Sequence, residues 1–276
     1  MPASNSIAPE PRPPLFDAEE LAHFKARMSP LVGFDLDAYK PRQIERRITA
    51  LMARANMPTL DAFHAQLAAD PGRLRDFVDG LMINVTEFLR DAEHFDRLRT
   101  DVLPDLLARF ERLRVWSAGC SVGAELYSVG MLLSELGVLD RAELVGTDLD
   151  RGAIERAHEG VYSAYETQGL SDDQLARYFS PEGPGHRFEN AAIRERCAFS
   201  RHNLLEDPPL EACQLILCRN VVIYLSDFSK RRLYARLHEA LAPGGILFVG
   251  KTERIFDAGS LGLEPHGPYF YRKSDA

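Results

Sequence analysis

The chain has 276 residues, 45% of them hydrophobic and 27% charged, a balance that fits a globular protein of one large or two modest domains. Its net charge of −8 argues against a general nucleic-acid binder, so any basic surface has to be local. No apolar run reaches the roughly 18 residues that a membrane-spanning helix needs.

The start, MPASNSIAPEPRPP, has neither the basic region nor the apolar core of a secretory signal, and its prolines predict a disordered tail over 1–16. A helical domain and linker are expected over 17–93. In DLDAYKPRQIERRITALMARANM, Ile44, Ile48, Leu51, Met52 and Ala55 recur at helical spacing, and Asn56-Met57-Pro58 ends that helix. Thr59 and Pro71 start two more. The stretch INVTEFLRD, 83–91, then places Asn84, Thr86, Glu87 and Arg90 where the helical region gives way to a larger one. HFDRLRTDVLPDLLARFERL reads as helix broken near Pro104.

From there the pattern alternates. RVWSAG is a strand, GAELYSVGMLLSEL a helix, AELVGTD a strand, and Asp150 caps the helix DRGAIERAHEG. CAFSRHNLL and CQLILCRNVVIYL each hold a strand. A helix follows from Ser226 to a Pro-Gly-Gly stop, then the strand GILFVGKTE and a final hairpin in LEPHGPYFYRK. Strands alternating with helices predict an α/β fold, a doubly wound Rossmann-like sheet over 94–276 with antiparallel edge strands from the hairpin. YFSPEGPGHRFENAAIRERCAFS suggests a small antiparallel β-subdomain inserted over about 178–200. Cys120, Cys197, Cys213 and Cys218 form no CxxC pair, so neither a metal site nor a disulfide framework is expected, and a reducing cytoplasm fits best.

Gly119 and Gly123 bracket a tight turn between the first strand and its helix, where backbone N–H groups approach a ligand. Asp148, at the end of the second strand, suits ribose hydroxyls. The spacing is G-x-x-x-G and lacks the middle glycine of a pyrophosphate loop. Glu125, in the helix's first turn, repels a diphosphate and suits a ligand ammonium group. S-adenosylmethionine has adenine, ribose, an amino group and no phosphate, so it is favoured over NAD. Asn203 offers donor and acceptor to an adenine edge, although alone it reads as a turn-former. Arg219, Asn220 and Tyr224 stand at the C-terminal end of the fourth strand, where ligands bind such sheets.

NVTEFLRD, RVWSAGCSVGAELYS, GTDLD, NLL, ILCRNVVIYL and LAPGGILFVGKTE, in that order, resemble the CheR-type chemotaxis receptor methyltransferases from about residue 17 to the end. The resemblance implies methyl transfer from S-adenosylmethionine to glutamates on the cytoplasmic helices of chemoreceptors, releasing S-adenosylhomocysteine. By motif it implies that Asn84, Thr86 and Arg90 flank the methionine end of the cofactor, as a lid contributed by the N-terminal domain. Glu125 would hold the amino group, Asp148 the ribose, Asn203 and Leu204 the adenine side. Asn220 and Val221 would line the pocket, with Tyr224 near the methyl. Arg90 and Tyr224 are the expected catalytic pair. Three departures stand out: Phe88-Leu89 for a pair of aromatics, Gly123-Ala124-Glu125 for Gly-Glu-Glu, and Gly250-Lys251-Thr252-Glu253 for Gly-His-Ser-Glu.

A glutamate acceptor, with a pKa of about 4.3, is already an anion at neutral pH and needs no base. Arg90 suits orienting a carboxylate. On the helix from Lys40, the side away from the apolar stripe carries Arg42, Arg46, Arg47 and Arg54, a basic face suited to an acidic receptor helix. Some relatives bind a receptor's C-terminal peptide through a longer glycine-rich loop in the β-subdomain. SPEGPGHRF is short, so peptide independence is expected, as is a monomer. Rival readings are a methyltransferase for another protein and a non-catalytic S-adenosylmethionine-binding module.

Overall fold

The computed structural model describes residues 16–82 and 84–275. The expected tail, Phe16 apart, lies outside them, as does Ile83. The chain divides into two compact units between Leu81 and Met82.

The first unit is helical: α1 Ala18–Val32, α2 Pro41–Arg54, α3 Leu60–Ala69 and α4 Pro71–Leu81. Asp17 and Thr59 cap α1 and α3 by accepting from the N–H of Glu19 and Ala62. Phe24, Phe63 and Phe77 pack at centroid separations of 5.5–6.4 Å. Ile44, Ile48 and Met52 bury one stripe of α2, each removal from water contributing about 1.5–3 kcal/mol. That burial leaves Arg42, Arg46 and Arg54 exposed.

In the second unit, α5 Ala92–Arg97 passes through a π turn, Leu98–Val102, into α6 Leu103–Arg109. The expected break at Pro104 is therefore a wider turn: Pro104 has no N–H to give, and the π turn just before it lets the helix continue. The chain then forms β1 Leu113–Ala118, α7 Ala124–Glu135, β2 Ala142–Asp148, α8 Arg151–Glu159, β3 Val161–Ser163, α9 Ala164–Thr167 and α10 Asp172–Tyr178. It continues through β4 Phe179–Glu182, β5 Gly185–Phe188, α11 Ala191–Arg194, β6 Cys197–Arg201, β7 Cys213–Cys218, α12 Asp227–Ala240, β8 Leu241–Val249, β9 Leu263–Pro265 and β10 Phe270–Lys273.

The large sheet has the order β6-β2-β1-β7-β8-β10-β9. Its first five strands are parallel, and β10 enters antiparallel between β8 and β9. The chain builds outward from β1 in one direction, returns to β7, and builds in the other. β1 and β7 therefore flank the switch point, and their C-terminal ends open the crevice where such sheets take ligands. The small antiparallel sheet, β3-β5-β4, draws in Val161–Ser163 from before the inserted stretch, whereas Cys197–Arg201 pairs with β2 in the large sheet.

The Pro-Gly-Gly segment does not stop α12. That helix ends at Ala240, and β8 runs through Pro243-Gly244-Gly245 with a register irregularity opposite Cys213–Leu215. Gly244, at φ 74°, supplies a conformation that side-chain-bearing residues avoid in a strand.

Candidate functional site

A cleft at the switch point is lined by Val85, Thr86, Glu87, Arg90, Gly119, Cys120, Ser121, Glu125, Arg219 and Asn220. Three backbone segments meet there. After β1, Gly119 (φ 87°) and Gly123 (φ 83°) make the expected turn. A Cβ on Gly119 would stand 2.4 Å from Val221 Cγ2, so only glycine lets the first loop approach the turn after β7. Leu89, Asp91, Ser121 and Asn220, on those same segments, also have positive φ. Four non-glycine residues in that region around one crevice mark backbone held by its surroundings.

Residues 84–91, expected as a lid from the helical domain, fall within the second unit. The reason is Phe88, which is fully buried and packs edge-on against Tyr162 and Phe179 at 4.8 and 5.0 Å. Its N–H donates to Glu166 O, and Leu89 N–H donates to Ser128 Oγ at 3.0 Å. Asn84 donates from Nδ2 to Asp150 Oδ2 and accepts from Ser121 Oγ at 3.0 Å. The arginine at position 90 donates to Val85 O at 2.9 Å and stays half-exposed.

Glu125 accepts from Ser117 Oγ at 2.7 Å and from Arg219 Nη1 at 3.3 Å. Arg219 is the central residue that sequence reasoning left without a role. It is buried between Phe95 and Phe248, and its Nη2 donates to Asp91 Oδ2 and Arg90 O, both at 2.8 Å. One cation thus ties α7 to the 84–91 segment. Glu253 is a second such clamp. Its buried carboxylate accepts from the N–H groups of Asn220 (2.6 Å), Val222 (2.9 Å) and Gly250 (2.8 Å), fixing the turn after β7. Burial pushes its carboxyl up, while those N–H groups pull it down.

Asp148 accepts from Ser121 N–H at 2.7 Å and Asp150 N–H at 3.0 Å; burial raises its carboxyl against those bonds. Asn203 is buried, accepts from Leu205 N–H, and so makes the turn it resembles in isolation. Its neighbour His202 donates its backbone N–H to Asp148 O. Leu204 lends its carbonyl to Arg236. Thr86, Arg90, Gly119, Glu125 and Asn220 thus line the cleft together, and Val221 touches Gly119. Asn84 and Asp148 join through Ser121. Asn203, Leu204 and Tyr224 do not line it. Burial pushes the Cys120 thiol, in the cleft wall, well above its ordinary value, and does the same to Cys218 behind it. All four cysteines are free, and no cluster of metal-ligating side chains occurs among the described residues.

A wider cleft of about 790 Å³ lies in the helical unit, lined by residues including Leu51, Arg54, Phe63 and Gly80. It has no glycine turn and no strand end. Of the four arginines expected to meet substrate, Arg47 donates to the carbonyls of Gly80 and Leu81, closing the C-terminal end of α4.

The donor set at the switch point fits a nucleoside ligand with an amino group and no phosphate. Glu125 occupies the helix start where a phosphate would sit, and Asp148 ends β2. The model of the CheR methyltransferase S-adenosylmethionine-binding domain matches residues 84–262, and that of the CheR methyltransferase all-α domain matches 19–82. The chain belongs to the CheR methyltransferase family. It is 34% identical over 244 residues to a chemotaxis protein methyltransferase of Listeria monocytogenes, covering 88% of this chain and 93% of that protein. It is 35% identical to chemotaxis protein methyltransferase 1 of Pseudomonas aeruginosa, covering 84% and 89%. This CheR-family chain is an S-adenosylmethionine-dependent methyltransferase with an all-α N-terminal domain. No described helix is long and apolar enough to cross a membrane.

Proposed function

We propose that this methyltransferase esterifies glutamate side chains on the cytoplasmic helices of chemoreceptors, for sensory adaptation, as a cytoplasmic monomer that does not depend on a receptor C-terminal peptide. The observation that carries the carboxylate acceptor is the state of the cleft's own ionisable groups. Glu125 is engaged by Arg219 and Ser117, Glu87 by Gln168, and Cys120 is held as the thiol by burial. Such a cleft positions reactants; it is not built to take a proton. An acceptor that is already anionic near neutral pH asks for positioning alone.

Bound S-adenosylmethionine supplies an electrophilic methyl on its sulfonium. Thr86, Arg90, Gly119, Glu125 and Asn220 in the cleft would hold it, with Asn84, Asp148, Asn203, Leu204 and Val221 on the surrounding turns. Arg90 has further N–H donors beyond the one given to Val85 O, enough to orient a carboxylate. Too tight a grip on the attacking oxygen would slow it, so Arg90 orients without neutralising. Tyr224, on the turn three residues past Val221 and outside the cleft lining, would approach the methyl from that turn. The relatives' names support a chemotaxis role. Exposed Arg42, Arg46 and Arg54 suit steering of an acidic helix. Peptide independence is supported by the connection between β4 and β5, which is only Gly183-Pro184.

The test is methylation of the source organism's membranes with methyl-labelled S-adenosylmethionine. Label on receptor-sized bands that leaves as methanol in mild alkali is the expected result. Alkali-stable label would refute a carboxyl acceptor.

A further inference from the structure

Two aromatic side chains stand in solvent on the C-terminal edge of the large sheet. Phe228, in the first turn of α12, is 78% exposed, and Phe256, beyond β8, is 97% exposed. Val85, in the cleft wall, is 56% exposed. These side chains contribute nothing to the core, and they share the edge of the sheet at which the cleft opens. The Glu253 clamp joins the segments that lead to the two phenylalanines. Its Oε2 accepts from Asn220 N–H and Gly250 N–H, which fastens the turn leading to Phe228 against the turn leading to Phe256. Asn220 itself lines the cleft. Basic side chains share this edge. Lys251 is exposed, 3.8 Å from Glu93, and exposed Arg231 and Arg254 make no ion pair among the described residues. The edge also carries Asp227, facing Lys230, and Asp257.

We propose that Val85, Phe228 and Phe256, flanked by Lys251, Arg231 and Arg254, form the docking surface for the acceptor segment, an acidic amphipathic helix. This deepens the function proposed above and rests on it. A side-chain carboxylate on a folded helix reaches the cleft only if the helix backbone lies across the mouth. The surface bordering the mouth therefore has to contact that helix. An amphipathic helix offers an apolar stripe for the phenylalanines and acidic flanks for the three cations, in a protein whose overall charge of −8 would otherwise repel it.

The experiment compares the wild type with the double variant Phe228→Ser/Phe256→Ser, using a purified receptor cytoplasmic fragment as acceptor. The expected result is a KM for the fragment raised about tenfold or more, kcat within about threefold, and unchanged S-adenosylmethionine affinity by calorimetry. A separate Arg254→Glu variant should raise KM more at about 0.05 M than at about 0.5 M salt. An unchanged KM in the double variant, with wild-type methylation intact, overturns the docking surface alone. A melting temperature lowered by more than about 3 °C overturns it too, because the rings would then pack within the chain. No methylation by the wild type would instead overturn the proposed function, and the docking surface with it.

Discussion

Replacing Arg219 by methionine removes a buried cation while keeping most of its stem. The guanidinium holds Glu125 at 3.3 Å, Asp91 and the Arg90 carbonyl at 2.8 Å, and lies between two rings at 5.2 and 4.6 Å. Truncating one partner of a fully buried pair costs about 3–5 kcal/mol, because the other charge is left uncompensated. Here the Asp91 and Glu125 side chains keep 25% and 12% of their surface accessible, so water recovers part of that loss. The expected destabilisation is the lower end, about 3 kcal/mol. In a unit of this size that lowers the melting temperature by about 6–12 °C. A Glu125 released from Arg219 keeps only its bond from Ser117 Oγ, so S-adenosylmethionine affinity should fall about tenfold, or about 1.4 kcal/mol. Scanning calorimetry reads the first effect and titration calorimetry the second. Adding Glu125→Gln removes one stranded charge and should restore about 1 kcal/mol of stability. A melting temperature within about 2 °C of wild type in Arg219→Met would refute the clamp.

Gly119→Ala places a Cβ 2.4 Å from Val221 at a positive φ, and should lower stability by about 1–3 kcal/mol and weaken S-adenosylmethionine binding in the same calorimeters. Glu253→Gln leaves an amide NH₂ facing backbone N–H groups and should cost about 2 kcal/mol in urea unfolding. Burial raises the thiols of Cys197 and Cys213 to about 12 and pushes those of Cys120 and Cys218 well above their ordinary value, so a thiol reagent at about pH 8 should label none in the native protein and all four after denaturation.

Local chemistry made much of this fold legible in the sequence. Asp150, Thr59 and Ser226 cap the helices whose starts they mark in the sequence, because a cap is decided by a side chain and N–H groups two or three residues on. Gly119 and Gly123 were readable for the same reason. Arg219 was not: its partners lie in sequence about Arg90 and Glu125, and no local pattern reports that a strand-end arginine will be enclosed by two phenylalanines. Glu253 and Asn220 are likewise brought together only by the pairing of β7 with β8. INVTEFLRD showed its polar residues but not its allegiance, which Phe88 decides by burial among residues of distant strands. Pro-Gly-Gly after α12 looked like a helix stop because two glycines usually punctuate; pairing with β7 made it a bulged strand instead.

The most direct measurement is the pH dependence of single-turnover methyl transfer to a receptor fragment, with S-adenosylmethionine saturating. A carboxylate acceptor is fully ionised across about pH 6.5–9, and the cleft contributes no proton acceptor, so the rate should stay flat within about twofold. A rate that climbs about tenfold per pH unit would mean that the acceptor must first lose a proton, and would contradict glutamate methylation by this cleft.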